Sequence, residues 1–285
     1  MGPAFLHWEM SQSPSMHLAL PATLEWPLHF HYKIPVFPVE LNGRACFMQL
    51  DSGAPHLFLN SNFFSASELT SGSAVMGVAG KVQSQRARVE RLAIGDWTMG
   101  PFEAMALPEA HLNDFEGGPI AGTIGFRELL HFSWLVDYDA ARLHLWRDFE
   151  PSAHAVRGQV RCQYRNHLPL VLAEIGGETF QLLLDTGCSD LVFDRAKQER
   201  VAGAVGMEGQ EELVGAGGQT VAAEQGVLEG MSIGGIGLGE VKTVFSDLAG
   251  LQSRIGDFDG VIGHPLLAQV RTVVCWERKR LYFLD

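Results

Sequence analysis

Asp51-Ser52-Gly53 and Asp185-Thr186-Gly187 write one short signature twice, each at the end of an apolar segment and each eight residues after a turn glycine. A chain that repeats a motif in matched surroundings is built from two copies of one unit, and that restricts its possible folds severely. Asn42-Gly43 separates Val39-Glu40-Leu41 from a run ending in Met48-Gln49-Leu50, and Gly176-Gly177 separates Leu170-Val171-Leu172 from a run ending in Leu182-Leu183-Leu184. Asn-Gly and Gly-Gly tolerate positive φ at both central positions, so each pattern predicts a tight hairpin whose second arm ends at the aspartate. Position 43 maps onto 177 and 51 onto 185 with one offset of 134, which still holds for Leu57-Phe58-Leu59 against Leu191-Val192-Phe193.

Farther along, residues 94–100 match 233–239 at an offset of 139, and Gly122-Thr123-Ile124-Gly125 matches Gly260-Val261-Ile262-Gly263 at 138. So small a drift reflects loop lengths that differ between two copies of one fold. From average residue usage a single Asp-Ser/Thr-Gly is expected roughly 0.1 times in such a chain, so the matched pair carries the inference and a solitary copy would not. The 32 glycines gather at turns, helical periodicity is scarce, and a hydrophobic content of 46% over 285 residues suffices for two cores. The expected architecture is all-β: two pseudo-symmetric barrel lobes, short helices after Gly125 and Gly263, and a cleft between the lobes. Residues 1–30 form an N-terminal segment (propeptide, strand or tail), 31–150 the first lobe, 151–165 a linker and 166–285 the second lobe.

A net charge of −12 argues against a nucleic-acid partner, and the basic run Arg278-Lys279-Arg280 reads as a solvated turn. No apolar run approaches the ~18 residues of a membrane span, and no secretory signal is visible. The expected location is cytoplasmic, with a periplasmic or secreted alternative if the N-terminus has been processed. Cys46, Cys162, Cys188 and Cys275 are isolated, so free thiols are expected rather than a disulfide framework or a metal site. His29 and His31 alternate on a strand but have no third ligand at zinc-like spacing. Gly234-Gly235-Ile236-Gly237-Leu238-Gly239 belongs to the repeated hairpin, not to a phosphate loop, and HExxH does not occur. No metal and no cofactor is expected.

The two Asp-Ser/Thr-Gly motifs, each followed by an apolar-apolar-Gly segment whose glycine lies 74 or 78 residues on, resemble those of the aspartic proteases. The short lobes, with Ala54 directly after the first motif, resemble the retropepsin type, here with both halves in one chain as in tandem bacterial proteins of that kind. The resemblance covers residues 33 to 285. It implies an aspartic endopeptidase in which Asp51 and Asp185 activate one water, and a peptide or protein substrate held extended in the cleft. It also implies a monomer that is an internal pseudo-dimer. Ser52 and Thr186 would cross-link the two loops, and Gly53 and Gly187 would admit backbone amides to the carboxyls. Gly77-Val78-Ala79-Gly80 and Gly215-Ala216-Gly217-Gly218 read as flap tips, where glycine permits both the turn and the motion of a lid.

Two unit charges ~3 Å apart at an effective dielectric of about 20 repel by ~5 kcal/mol, so such a pair holds one proton over a broad pH range. Ala54 and Cys188 depart from the pepsin pattern, which places a hydroxyl after each motif. The loss of a hydrogen bond to the ionised carboxylate moves the expected optimum toward about pH 5 to 6. Phe126-Arg127-Glu128 and His264-Pro265 also depart from the Arg-Asp/Asn that follows the glycine in retroviral enzymes, which leaves a lobe-joining ion pair in doubt there. Two alternatives remain open at this point: a catalytically silent peptide-binding protein of the same fold, and a self-processing protease with one dedicated client.

Overall fold

The computed structural model describes residues 23–77, 80–109, 112–113, 115–166, 168–214 and 220–285. Its strands form three sheets, two of ten strands and one of six. The two ten-stranded sheets repeat one strand order, so the duplication in the sequence is a duplication of topology. The protein is mostly β, with two similar lobes and few short helices.

In the first lobe the hairpin Ile34–Leu41 and Arg44–Leu50 turns through Asn42 at φ 51° and Gly43 at φ 78°. In the second, Leu168–Ile175 and Glu178–Leu184 turn through Gly176 at φ 58° and Gly177 at φ 85°. Positive φ at both central residues matches the twist of the flanking strands, which fixes the register and therefore the point at which each aspartate leaves its strand. Along each second arm the alternation of burial gives way to continuous burial at Met48-Gln49-Leu50 and Leu182-Leu183-Leu184. There the strands acquire a parallel neighbour, Ile120–Ile124 in one lobe and Gly260–Ile262 in the other, and parallel strands are covered on both faces.

The six-stranded sheet joins the halves. Ser133–Asp137 of the first half pairs antiparallel with Thr272–Cys275 of the second, with Thr23–Pro27 at one edge and Val156–Arg161 at the other. Trp134 is fully buried opposite Val274 on this sheet, and one apolar core runs from it into both lobes. Helices follow Gly125 and Gly263, at Phe126–Leu129 and His264–Leu267; a further helix, Ala249–Ile255, has no counterpart in the sequence expectation. His29 and His31 pack edge-on against Phe47 and Phe115. No helix among the described residues is long and apolar enough to cross a membrane.

Candidate active site

Each aspartate leaves its strand between the two ends of an apolar-apolar-Gly segment. The Asp51 N–H donates to the Ile124 carbonyl at 3.0 Å and the Asp185 N–H to Ile262 at 2.9 Å. Past the glycine, the Phe126 N–H donates to Ala54 O at 2.8 Å and the His264 N–H to Cys188 O at 2.9 Å. A Cβ on Gly125 would lie 2.6 Å from the Ala54 carbonyl, and one on Gly263 would overlap the Asp185 and Cys188 carbonyls. Glycine is therefore a steric requirement here: the backbones of the two segments touch.

The loops are tied to each other through their hydroxyls. The Ser52 N–H donates to Thr186 Oγ1 at 2.8 Å and the Thr186 N–H to Ser52 Oγ at 3.0 Å, while Thr186 Oγ1 donates onward to the Leu50 carbonyl at 3.0 Å. Both residues are 0% exposed, so no water can replace a lost partner. Thr186→Val keeps the shape and orphans the Ser52 N–H and the Leu50 carbonyl. It is expected to destabilise the fold by roughly 2–4 kcal/mol, at about 1–3 kcal/mol for each buried unsatisfied group, measured as a drop in urea midpoint at unchanged slope.

With the loops locked, the carboxyls meet. The Gly53 N–H donates to Asp51 Oδ1 at 2.8 Å and to Asp185 Oδ1 at 2.9 Å, so one donor faces both acids. Asp51 Oδ1 accepts a second bond from the Ala54 N–H at 3.1 Å, and Asp185 Oδ1 one from the Gly187 N–H at 2.8 Å. Burial first, and then the charge of Asp185, push Asp51 well above the usual carboxylate range; burial raises Asp185 as well. The site is thus a two-carboxyl unit on a symmetric backbone frame. Such a unit can take a proton from a water with one member and give one with the other. No group of metal-binding side chains occurs among the described residues.

A family model described as aspartyl protease matches this chain twice, over residues 37–127 and 171–266. The chain belongs to the aspartyl protease family. Each family match contains one hairpin, one Asp-Ser/Thr-Gly motif and one apolar-apolar-Gly segment, and together they give the tandem, retropepsin-like arrangement. Among curated proteins none matches the sequence. Among solved structures the chain is similar to conglutin gamma, a basic 7S globulin from lupine seeds, with 12% sequence identity, a TM-score of 0.54, and coverage of 93% of this chain and 95% of that one. At that identity the likeness concerns the fold alone.

Around the family's two motifs, the remaining expected residues fall in different places. Cys188 donates its thiol to the Asp190 carbonyl at 2.9 Å, not to an aspartate side chain, and burial raises its pKa far above that of a reactive thiolate. All four cysteines are free, and burial likewise raises Cys46 to about 11 and Cys162 to about 12. Gly77 and Gly80 face each other at the tip of the hairpin Leu69–Gly77 and Gly80–Val89, whereas Val78, Ala79 and Gly215, Ala216, Gly217 and Gly218 lie outside the described residues. The sequence reading did not single out Asp190 or Lys33. Asp190 is buried, five residues past Asp185, and binds Lys33 Nζ of the first half at 2.8 Å. Lys242 reaches Asp190 at 3.8 Å and Glu211 at 2.6 Å, which links the hairpin Val205–Val214 and Thr220–Leu228 to the second aspartate loop. A lone aspartate between the small residues after a motif and an apolar strand is the signal that could have found Asp190. Lys33 had none, because its partner lies 157 positions away.

Proposed function

We propose that this protein is an aspartic endopeptidase that hydrolyses peptide bonds with a water activated between Asp51 and Asp185. The observation that carries the proposal is the single Gly53 N–H bonded to both carboxyls, which holds them edge to edge in a geometry where only one can be ionised. In the proposed cycle the ionised member takes a proton from the water as its oxygen attacks the scissile carbonyl, and the neutral member donates a proton to that carbonyl oxygen. The tetrahedral diol then collapses: the protonated member gives its proton to the departing amine while the other takes one from a diol hydroxyl, which leaves the pair with one proton. The substrate is an extended peptide laid between the two long hairpins, each of which offers it main-chain partners as a neighbouring strand would. The chain acts as a monomer because its two halves supply one aspartate each.

Digestion of a peptide library across pH tests this. Both members of the pair are raised, so the singly protonated form persists to higher pH than isolated carboxyls allow, and neither Ala54 nor Cys188 supplies a side-chain hydroxyl to lower them. Cleavage is expected to peak at about pH 5 to 6 and to be blocked by pepstatin. A peak below pH 3, or cleavage indifferent to that inhibitor, would contradict the proposal.

A further inference from the structure

The outer strand of the second long hairpin, Val205–Val214, has a sheet neighbour on one side only, Thr220–Leu228, which in turn pairs with Val241–Ser246. A two-stranded extension held by its own backbone ladder is marginal, so its position depends on side-chain ties to the rest of the sheet. Glu211 on the outer strand and Lys242 on the third are not sheet neighbours, yet their charged groups meet at 2.6 Å across the strand between them. Lys242 Nζ also lies 3.8 Å from Asp190 Oδ2. That oxygen accepts from Ser189 Oγ at 3.2 Å, while Asp190 Oδ1 is taken by Lys33.

Asp190 is a firm anchor: its carbonyl accepts the Cys188 thiol at 2.9 Å, its carboxyl is buried, and a buried carboxylate must keep its cations. Glu224, on the opposite face of the hairpin, is held by Gln198 of the segment Arg195–Val201 at 3.0 Å. Among the ion pairs of the described residues, those of Lys242 are the ones that join the hairpin to the Asp185 loop. The first half is built differently. Phe58 pairs with Met105 as Val192 does with Val244, which puts Glu103 at the place of Lys242, and the residue at the place of Asp190 is His56. Glu103 meets Arg86 of the adjacent strand at 3.6 Å, with both side chains exposed. A lysine set between a hairpin acid and a loop acid therefore has no counterpart at the matching position of the first half.

We propose that Lys242 is a positioning residue for substrate binding: by holding Glu211 to Asp190 it sets where the second hairpin stands relative to Asp185, and with it the main-chain groups that pair with an extended peptide. The consequence for cleavage rests on the protease proposal; the consequence for the hairpin does not. Main-chain pairing to the flanks of a peptide is the same before and during reaction at the scissile bond. A displaced hairpin therefore raises KM and leaves kcat in place.

Steady-state cleavage of the best peptide from the library by wild type, Lys242→Met, Lys242→Arg and Glu211→Gln tests it, with amide hydrogen exchange alongside. KM is expected to rise roughly fivefold in Lys242→Met and in Glu211→Gln at unchanged kcat. The double variant should be no worse than Lys242→Met, because both changes cut one connection, and Lys242→Arg should restore most of the loss. Exchange should quicken at residues 210–212 and 222–225 in both single variants and stay as in wild type at residues 86–89 of the first hairpin. Glu211→Gln leaves Asp190 both of its lysines and keeps the comparison available should Lys242→Met unfold. An unchanged KM, a fall in kcat alone, effects of the two variants that add in full, or exchange that quickens alike in both hairpins would overturn the proposal. A protein that cut no peptide would end the protease reading and leave exchange to decide whether Lys242 holds the hairpin.

Discussion

Asp51→Asn is expected to abolish peptide cleavage while leaving the chain folded and, at neutral pH, more stable than wild type. An amide cannot pass a proton to or from water, so the loss should be roughly 10³-fold or greater, and Asp185→Asn should behave alike. The stability change has the opposite sign. Both acids are raised in the folded state, chiefly by burial, so the stability they contribute is present below the unfolded value of 3.8 and declines as pH rises through their folded values. One asparagine removes the repulsion and can still donate to the neighbouring carboxylate, so a gain in stability at pH 7 is expected. Activity assays paired with urea unfolding at pH 4 and 7 check both halves. Wild-type cleavage by both single variants would remove the assigned mechanism, and a loss of stability at pH 7 would remove the shared proton.

Gly53→Ala and Gly187→Ala are also expected to lower activity strongly, for a purely steric reason. A Cβ on Gly53 would fall inside the Asp185 carboxyl, and one on Gly187 would lie 2.6 Å from Asp51 Cγ. The new methyl cannot turn aside, because it is fixed to a backbone pinned by the Ser52 and Thr186 cross-link. The carboxyl must move instead, and a displacement of about 1 Å in a catalytic pair costs on the order of 10²-fold in rate. Overpacking of this kind also destabilises by roughly 1–3 kcal/mol. Gly43→Ala provides a control, since its Cβ would meet nothing within 4 Å and only the turn's positive φ is strained. Equal activity in Gly53→Ala and Gly43→Ala would show that the carboxyls are not in contact.

Whatever in this molecule follows from local demands was legible in the sequence. A tight hairpin needs Asn42-Gly43 or Gly176-Gly177 whatever surrounds it, and a backbone crossing needs Gly125 or Gly263, so these residues announce the two-lobed fold and the depth at which each aspartate stands. The six-stranded sheet was not legible as a unit. Thr23–Pro27, Arg142–Trp146 and Thr272–Cys275 are unremarkable strands until they meet, and no local pattern names a partner more than a hundred residues away. The same holds for Lys33 and Asp190: an ion pair between halves depends on where two turns arrive.

The central claim is that Asp51 and Asp185 act as one acid-base unit holding one proton. Carbon-13 labelling of the aspartate carboxyls, followed by NMR from pH 3 to 9, reports their ionisation directly, with the single Asn variants to assign the signals. Two carboxyl signals are expected to respond together in two macroscopic steps separated by several pH units, the upper one well above the ordinary aspartate value and absent from each variant. Two independent titrations near pH 4, unchanged when the neighbour becomes asparagine, would contradict the account.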